Sequence, residues 1–282
     1  MCAICGCSDP QAHARAHAHD HSHAHDHSHA HDHSHSHDHS HAHDHSHAHN
    51  ASRWVQLEAD ILGKNTQLAI ENRREFERRD WLALNLVSSP GSGKTSLLER
   101  TIRELGARLP FFVIQGDQAT DRDAERVRRA GARAVQLNTG TICHLDAAMV
   151  ERAARELDPP PGSVLVIENI GNLVCPALFD LGEHARIVVA SFAEGDDKPL
   201  KYPYMFRSAD LVLLNKLDLA PHVAFDAKEF RDNLRSLNPS ARVIELSATR
   251  GDGCGDWYQW LDDHARPTQI PGNFSALSEP QP

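Results

Sequence analysis

LALNLVSSPGSGKTSLLERTIRELGARL, residues 82–109, is the stretch that decides the fold. It opens with a short apolar run, 82–88, of the length and composition of a buried strand. It passes through a Ser/Pro/Gly turn and continues as an amphipathic helix from Lys94. A glycine-rich turn between a strand and a helix is the setting of a phosphate-binding loop. Its glycines let backbone N–H groups turn inward around an anion, and the helix N-terminus adds its own donors. Gly91, Ser92, Gly93, Lys94, Thr95 and Ser96 form the candidate site. Lys94 is placed to reach β- and γ-phosphates, and the Thr95 hydroxyl to hold Mg2+. The strict motif begins with Gly, where this chain has Ser88.

The same alternation continues down the chain. FFVIQGD (111–117), ARAVQL (132–137), SVLVIEN (163–169), ARIVVAS (185–191), ADLVLLNK (209–216) and ARVIELSA (241–248) read as further buried strands. RDAERVRRAG, TICHLDAAMVERAAREL, and segments 226–236 and 254–265 read as helices. Continuously apolar strands alternating with helices predict an α/β fold, a doubly wound and mostly parallel sheet covered on both faces. Ahead of it, Trp54, Leu57, Ile61, Leu68 and Phe76 recur at helical spacing, with Ser52 as the expected cap.

Polar residues at strand ends supply the rest of the expected site. Asn215, Lys216 and Asp218 (NKLD) follow the strand ADLVLL, and the Asp218 carboxylate would accept two N–H groups of guanine. Adenine lacks that donor pair, so GTP is selected over ATP. Ser247 and Ala248 end the following strand and are expected against the base through backbone amides. Asp117 and Glu168 end two more strands, where carboxylates suit Mg2+ and water. Lys94, Asp117 and Glu168 are the catalytic candidates, with Asp117 expected to place the attacking water and, with Thr95, to hold the metal.

Two sets of soft ligands stand apart from this. Cys2, Cys5 and Cys7 fall within six residues at the N-terminus and can wrap one soft or borderline ion. If Met1 is removed, the Cys2 amine completes four ligands, a square-planar set that suits Ni2+ better than Zn2+. Cys143 and His144, expected at a helix start, and Cys175, just past the Glu168 strand, make a second candidate site of three ligands. Cys254, His184, His222 and His264 are expected to be structural. Between Cys7 and the domain, every odd residue from His17 to His49 is His, with Asp at 20, 26, 32, 38 and 44. This comb has no apolar stripe of either period and is expected to be disordered without metal, a collector of many ions.

Composition narrows the function. Net charge is −10, and no basic run suggests nucleic acid. No apolar stretch is long enough to span a membrane, and MCAICGC lacks the features of a signal peptide, so the expected location is cytoplasmic. The expected organisation is a Cys-rich motif at 1–7, a His-rich tail at 8–50, a GTPase domain at 51–268 and a loose C-terminal tail at 269–282.

CAICGC, SSPGSGKT, GDQATDRDAERV, GTICHLDA, ENIGNLVCPA, EGDDKPLKYP and NKLDL occur in that order. Together they resemble the hydrogenase nickel-incorporation GTPase family, HypB, kin of the urease accessory GTPase UreG. The resemblance covers nearly the whole chain, and Ser at the first loop position is usual in that family. It implies a P-loop GTPase of the SIMIBI type that dimerises with nucleotide or metal. Such a protein would act with a companion nickel metallochaperone to deliver nickel to the [NiFe]-hydrogenase large subunit. It implies Cys143, His144 and Cys175 as a nickel or zinc site in the GTPase domain, and storage as the use of the His comb. The rival readings are a nickel or zinc store with a regulatory nucleotide site, and a urease-maturation GTPase.

Overall fold

The computed structural model describes residues 46–117, 122–140 and 142–265. Cys2, Cys5, Cys7, most of the His comb and the C-terminal tail lie outside the described residues. The chain divides into two compact units, 1–63 and 64–282. A helix, α1 (Ser46–Arg78), runs through the boundary. It starts six residues before the expected cap Ser52, because no Pro or Gly interrupts the sequence from Ser46 to Leu62. In the first unit Gln56 Nε2 donates to Asp60 Oδ1 at 3.0 Å, an i,i+4 pair, and Leu57 and Ile61 are exposed.

The second unit continues with β1 (Leu82–Ser88), α2 (Lys94–Leu105), β2 (Phe111–Asp117), α3 (Arg122–Ala130) and β3 (Arg133–Asn138). Then come α4 (Ala147–Leu157), β4 (Val164–Gly171), β5 (Ala185–Ser191), α5 (Lys198–Lys201) and α6 (Pro203–Arg207). It ends with β6 (Leu211–Asn215), α7 (Ala227–Leu237), β7 (Arg242–Glu245) and α8 (Cys254–His264). The seven strands form one sheet in the order β3-β2-β4-β1-β5-β6-β7. Every pairing is parallel. Helices cover both faces, so the central strands are buried along almost their whole length. One face packs Leu84, Leu86, Val113 and Ile187 against Leu97 and Ile102 of α2 and Trp257 and Leu261 of α8. The other packs Val87, Val188 and Val212 against Phe206 and Phe230.

Three boundaries differ from the expectation for local reasons. The last strand, β7, stops at Glu245, beyond which the backbone leaves the ladder: Leu246 O accepts from Leu217 N at 3.0 Å and Ser247 N donates to Asp252 O at 2.8 Å. α2 ends at Leu105, where Gly106 closes it by donating to Ile102 O at 2.8 Å. α4 begins at Ala147, not at Thr141: Asp146 is its N-cap, its side chain accepting from Met149 N at 2.7 Å. Cys143 and His144 therefore do not open a helix. They sit in the irregular segment between β3 and α4, braced by a tight turn in which Ile142 N donates to Thr139 O at 3.0 Å.

Candidate functional site

The loop from Ser89 to Gly93 turns sharply between β1 and α2. Gly91 and Gly93 have φ of 76° and 96°, values that a Cβ disfavours. Ser92 Oγ donates to Ser89 O at 2.7 Å and closes the loop on itself. Lys94 Nζ donates to Ser88 Oγ at 2.7 Å, so the residue standing in the strict motif's glycine position holds the lysine head. Burial pushes the Lys94 ammonium below its usual pKa, against the pull of Glu168, Asp123 and Glu194. Thr95 Oγ1 donates to Glu168 Oε1 at 2.6 Å. Burial raises the pKa of Glu168, while Lys94 and the Thr95 hydroxyl oppose that rise.

These residues open onto a cavity of about 500 Å3 that Gln115, Asp117, Asp123 and Arg126 also line. Each of the strand-end carboxylates expected from the sequence, Asp117 and Glu168, is thus beside the loop. Ser96 accepts from Arg126 Nη2 at 3.1 Å, and Arg126 also pairs with Glu99 and Asp123. The Thr95 hydroxyl, the Asp117 and Glu168 carboxylates and the Gln115 amide beside the glycine-bearing loop offer oxygen ligands that suit a hard divalent cation beside phosphates. The residues fit Mg2+ on that chemistry.

A second loop cluster abuts the first. Asn215 Nδ2 donates to Ser92 O at 2.9 Å, and Asn215 Oδ1 accepts from Ala248 N at 3.0 Å. Lys216, at φ 62°, donates from Nζ to Gly91 O at 2.7 Å. Asn215 and Lys216 therefore tie the loop after β6 to the loop after β1. Asp218 Oδ1 accepts from Ser247 Oγ at 2.5 Å. The Ser247 and Ala248 amides expected against a base are engaged within the protein, Ser247 N on Asp252 O at 2.8 Å and Ala248 N on Asn215. What Ser247 contributes to Asp218 is its hydroxyl.

Cys143, His144 and Cys175 converge, with their ligand atoms all within 4.8 Å of one another. Cys175 opens a 3-10 turn, Cys175–Leu178, and its Sγ lies 2.9 Å from Cys143 Sγ. The His144 ring stacks on Phe179 at 3.9 Å, and its buried Nδ1 has no hydrogen-bond partner among the described residues. Burial lowers the His144 pKa, partly opposed by Asp146. That favours the neutral imidazole, the form that ligates metal. Two sulfurs and one imidazole suit a soft or borderline ion such as Ni2+ or Zn2+, with a position left over.

Asn169 joins this cluster to the phosphate side. It follows Glu168 on β4, and its Oδ1 accepts from Leu145 N at 3.3 Å, one residue beyond His144. Asn172 Nδ2 donates to Cys143 O at 3.4 Å. Gly116, the neighbour of Asp117, is packed so closely on Leu145 that a Cβ there would lie 3.0 Å from its side chain. Sequence reasoning did not single out Asn169, Gln115 or Arg126: Asn169 and Arg126 lie inside the blocks ENIGNLVCPA and GDQATDRDAERV, which were the available signal, while Gln115 lies in a strand outside any of them. Lys198 was also missed: it donates from Nζ to Ser89 Oγ and pairs with Glu194 at 3.2 Å. Its segment, EGDDKPLKYP, was the available signal. Of the residues expected to be structural, His184 accepts from Ala83 N at 3.0 Å and His264 contacts Trp260 O at 2.7 Å. Cys254 is buried with Sγ 3.6 Å from Ser247 O. No helix among the described residues is long and apolar enough to cross a membrane.

Comparison with known proteins gives a consistent result. The family described as CobW/HypB/UreG, nucleotide-binding domain, matches residues 82–245. The chain is 54% identical over 228 residues to the hydrogenase maturation factor HypB of Azotobacter vinelandii, covering 81% of this chain and 75% of that protein. It is 51% identical over 210 residues to HypB of Escherichia coli strain K12, covering 74% and 72%. Among solved structures, HypB from Helicobacter pylori in complex with nickel superposes with a TM-score of 0.68 at 36% identity, covering 77% of this chain and 99% of that one.

Proposed function

Since the chain belongs to the CobW/HypB/UreG family, and within it to the hydrogenase maturation factors HypB, we propose that it is a GTP-hydrolysing nickel carrier for the maturation of [NiFe]-hydrogenase. GTP would lie along the first loop, with the N–H groups of Gly91 to Ser96 and the Lys94 ammonium on its phosphates and Asp218 on guanine. Thr95, Asp117 and Glu168 would hold Mg2+, which when bound neutralises phosphate charge. Asp117 orients a water for attack on the γ-phosphorus, and the bond to the β-phosphate oxygen breaks to release GDP and phosphate. Lys94 stabilises the charge that develops on the transferred group.

The nickel carried is substrate rather than cofactor. Cys143, His144 and Cys175 are the proposed GTPase-domain site, able to take nickel or zinc. Cys2, Cys5 and Cys7 are proposed as a tighter nickel site, and the His comb as a store. The single observation that carries the link between the two activities is continuity along β4. Glu168 takes the Thr95 hydroxyl, and the next residue, Asn169, holds the backbone beside His144. A change on the phosphate side thereby reaches the metal ligands through one hydrogen-bonded strand end. Homodimerisation, a companion nickel metallochaperone, the hydrogenase large subunit as recipient and a cytoplasmic location complete the proposal.

The test is GTP turnover by the purified chain, with nickel content measured alongside. The wild type should hydrolyse GTP in preference to ATP. Lys94→Ala should lose turnover and keep its N-terminal nickel, because the two sites share no residue. A chain that binds nickel but neither binds nor hydrolyses GTP would contradict the reading.

A further inference from the structure

Gln115 is 2% exposed, on a central strand whose neighbours Val113 and Ile114 are fully buried apolar residues. An amide in that setting is unfavourable unless both of its polar ends are paired. Only one end is. Nε2 donates to Glu168 Oε2 at 3.3 Å, across the register in which Gln115 stands beside Glu168. Oε1 is buried and has no hydrogen-bond partner among the described residues. Turning the amide over would set its oxygen against the carboxylate, so the nitrogen faces Glu168 and the orphan is the carbonyl. The two oxygens of Glu168 are thus each held by one donor, Thr95 on Oε1 and Gln115 on Oε2. Gln115 also lines the cavity shared with Lys94, Thr95 and Asp117.

The geometry points to Gln115 as a positioning residue for the divalent cation of the nucleotide site: its amide N–H fixes Glu168, and its orphan carbonyl accepts a hydrogen bond from water of the hydrated ion. This rests on the nucleotide-site reading above. Mg2+ gives up its waters reluctantly and keeps several when bound, and their hydrogens need acceptors. Groups that orient ligands from behind typically set metal affinity by about 10- to 100-fold. A buried, unpaired acceptor whose other end already holds a magnesium-side carboxylate is placed for that role.

The experiment uses the full chain and a fluorescent GDP, with Mg2+ titrated after chelation. Gln115→Met keeps the length of the side chain and removes both hydrogen bonds. It should raise the Mg2+ concentration that half-maximally tightens GDP binding by about tenfold or more, while GDP affinity in chelator stays at the wild-type value. Gln115→Asn keeps both polar groups but draws them back by one methylene, so it should raise the same Mg2+ concentration while GDP affinity in chelator stays at the wild-type value. Wild-type Mg2+ half-saturation in Gln115→Met overturns the inference. So does an equal loss of GDP affinity with and without Mg2+, the mark of a purely structural residue. Should the methionine variant fail to fold, wild-type Mg2+ half-saturation in Gln115→Asn overturns it. A wild type whose GDP binding ignores Mg2+ would instead remove the nucleotide-site reading together with this one.

Discussion

Replacing Gly93 by Ala tests how tightly the two nucleotide loops are locked. Gly93 sits at φ 96°, and a Cβ added there would lie 2.5 Å from Asn215 Nδ2. The left-handed backbone costs about 1–2 kcal/mol for a residue with a Cβ. The Asn215 side chain must also move, which breaks its bonds to Ser92 O and from Ala248 N. Each such bond is worth about 1 kcal/mol. The sum is a loss of about 3–4 kcal/mol, which for a domain of this size lowers Tm by roughly 6–16 °C. Scanning fluorimetry of the nucleotide-free protein measures it, and guanine nucleotide affinity should fall at the same time, since Asn215 is displaced from its place between the loops. A Gly93→Ala protein with unchanged Tm and unchanged GDP affinity would refute the reasoning. It would mean that the loop relaxes freely and that Asn215 does not couple it to the base side.

Asp218→Asn should weaken GTP relative to xanthosine triphosphate by about 10- to 100-fold, the worth of a charge-assisted hydrogen bond, as read from competition binding; unchanged selectivity would remove Asp218 from the base site. Arg186 and Glu183 form a buried ion pair at 2.8 Å, with side chains 9% and 6% exposed. Arg186→Met leaves the Glu183 charge unpaired and should cost about 3–5 kcal/mol in urea unfolding, and a smaller loss than 1 kcal/mol would contradict that account. The His144 pKa is lowered in the folded chain, so below the usual histidine value the unfolded chain binds more protons there. The stability this contributes is present above about pH 6.5 and is lost as pH falls toward the folded value. The metal-free wild type should therefore lose more Tm between pH 8 and 5.5 than His144→Gln, and parallel curves would count against a desolvated imidazole.

The sheet was legible because its strands are almost uninterrupted apolar runs: 185–191 and 82–88 were read to the residue. The phosphate loop and NKLD were legible because their backbone conformations demand particular residues at particular spacings. α4's start was misplaced because TICHLD runs without Pro or Gly into a helical pattern, and only the Asp146 side chain on Met149 N shows where the helix begins. α5 and α6 were missed because Pro199 and Pro203 open them, and prolines near short polar segments read as loop. The polar residues inside the site, Gln115 and Asn169, escaped for a different reason. Their significance lies in partners 53 and 24 residues away along the chain, which no local pattern reveals.

The coupling proposed between nucleotide and metal runs through the end of β4. It is tested most directly by titrating nickel, and separately zinc, into the protein with and without a non-hydrolysable GTP analogue and Mg2+. Linkage requires that any factor by which nucleotide changes metal affinity be returned by metal on nucleotide affinity. Different affinities for the Cys143–His144–Cys175 site are expected in the two states, with the same factor in the reciprocal GTP titration and loss of both differences in Cys175→Ser. Identical metal affinities in both nucleotide states would contradict it and leave the three ligands a static structural site.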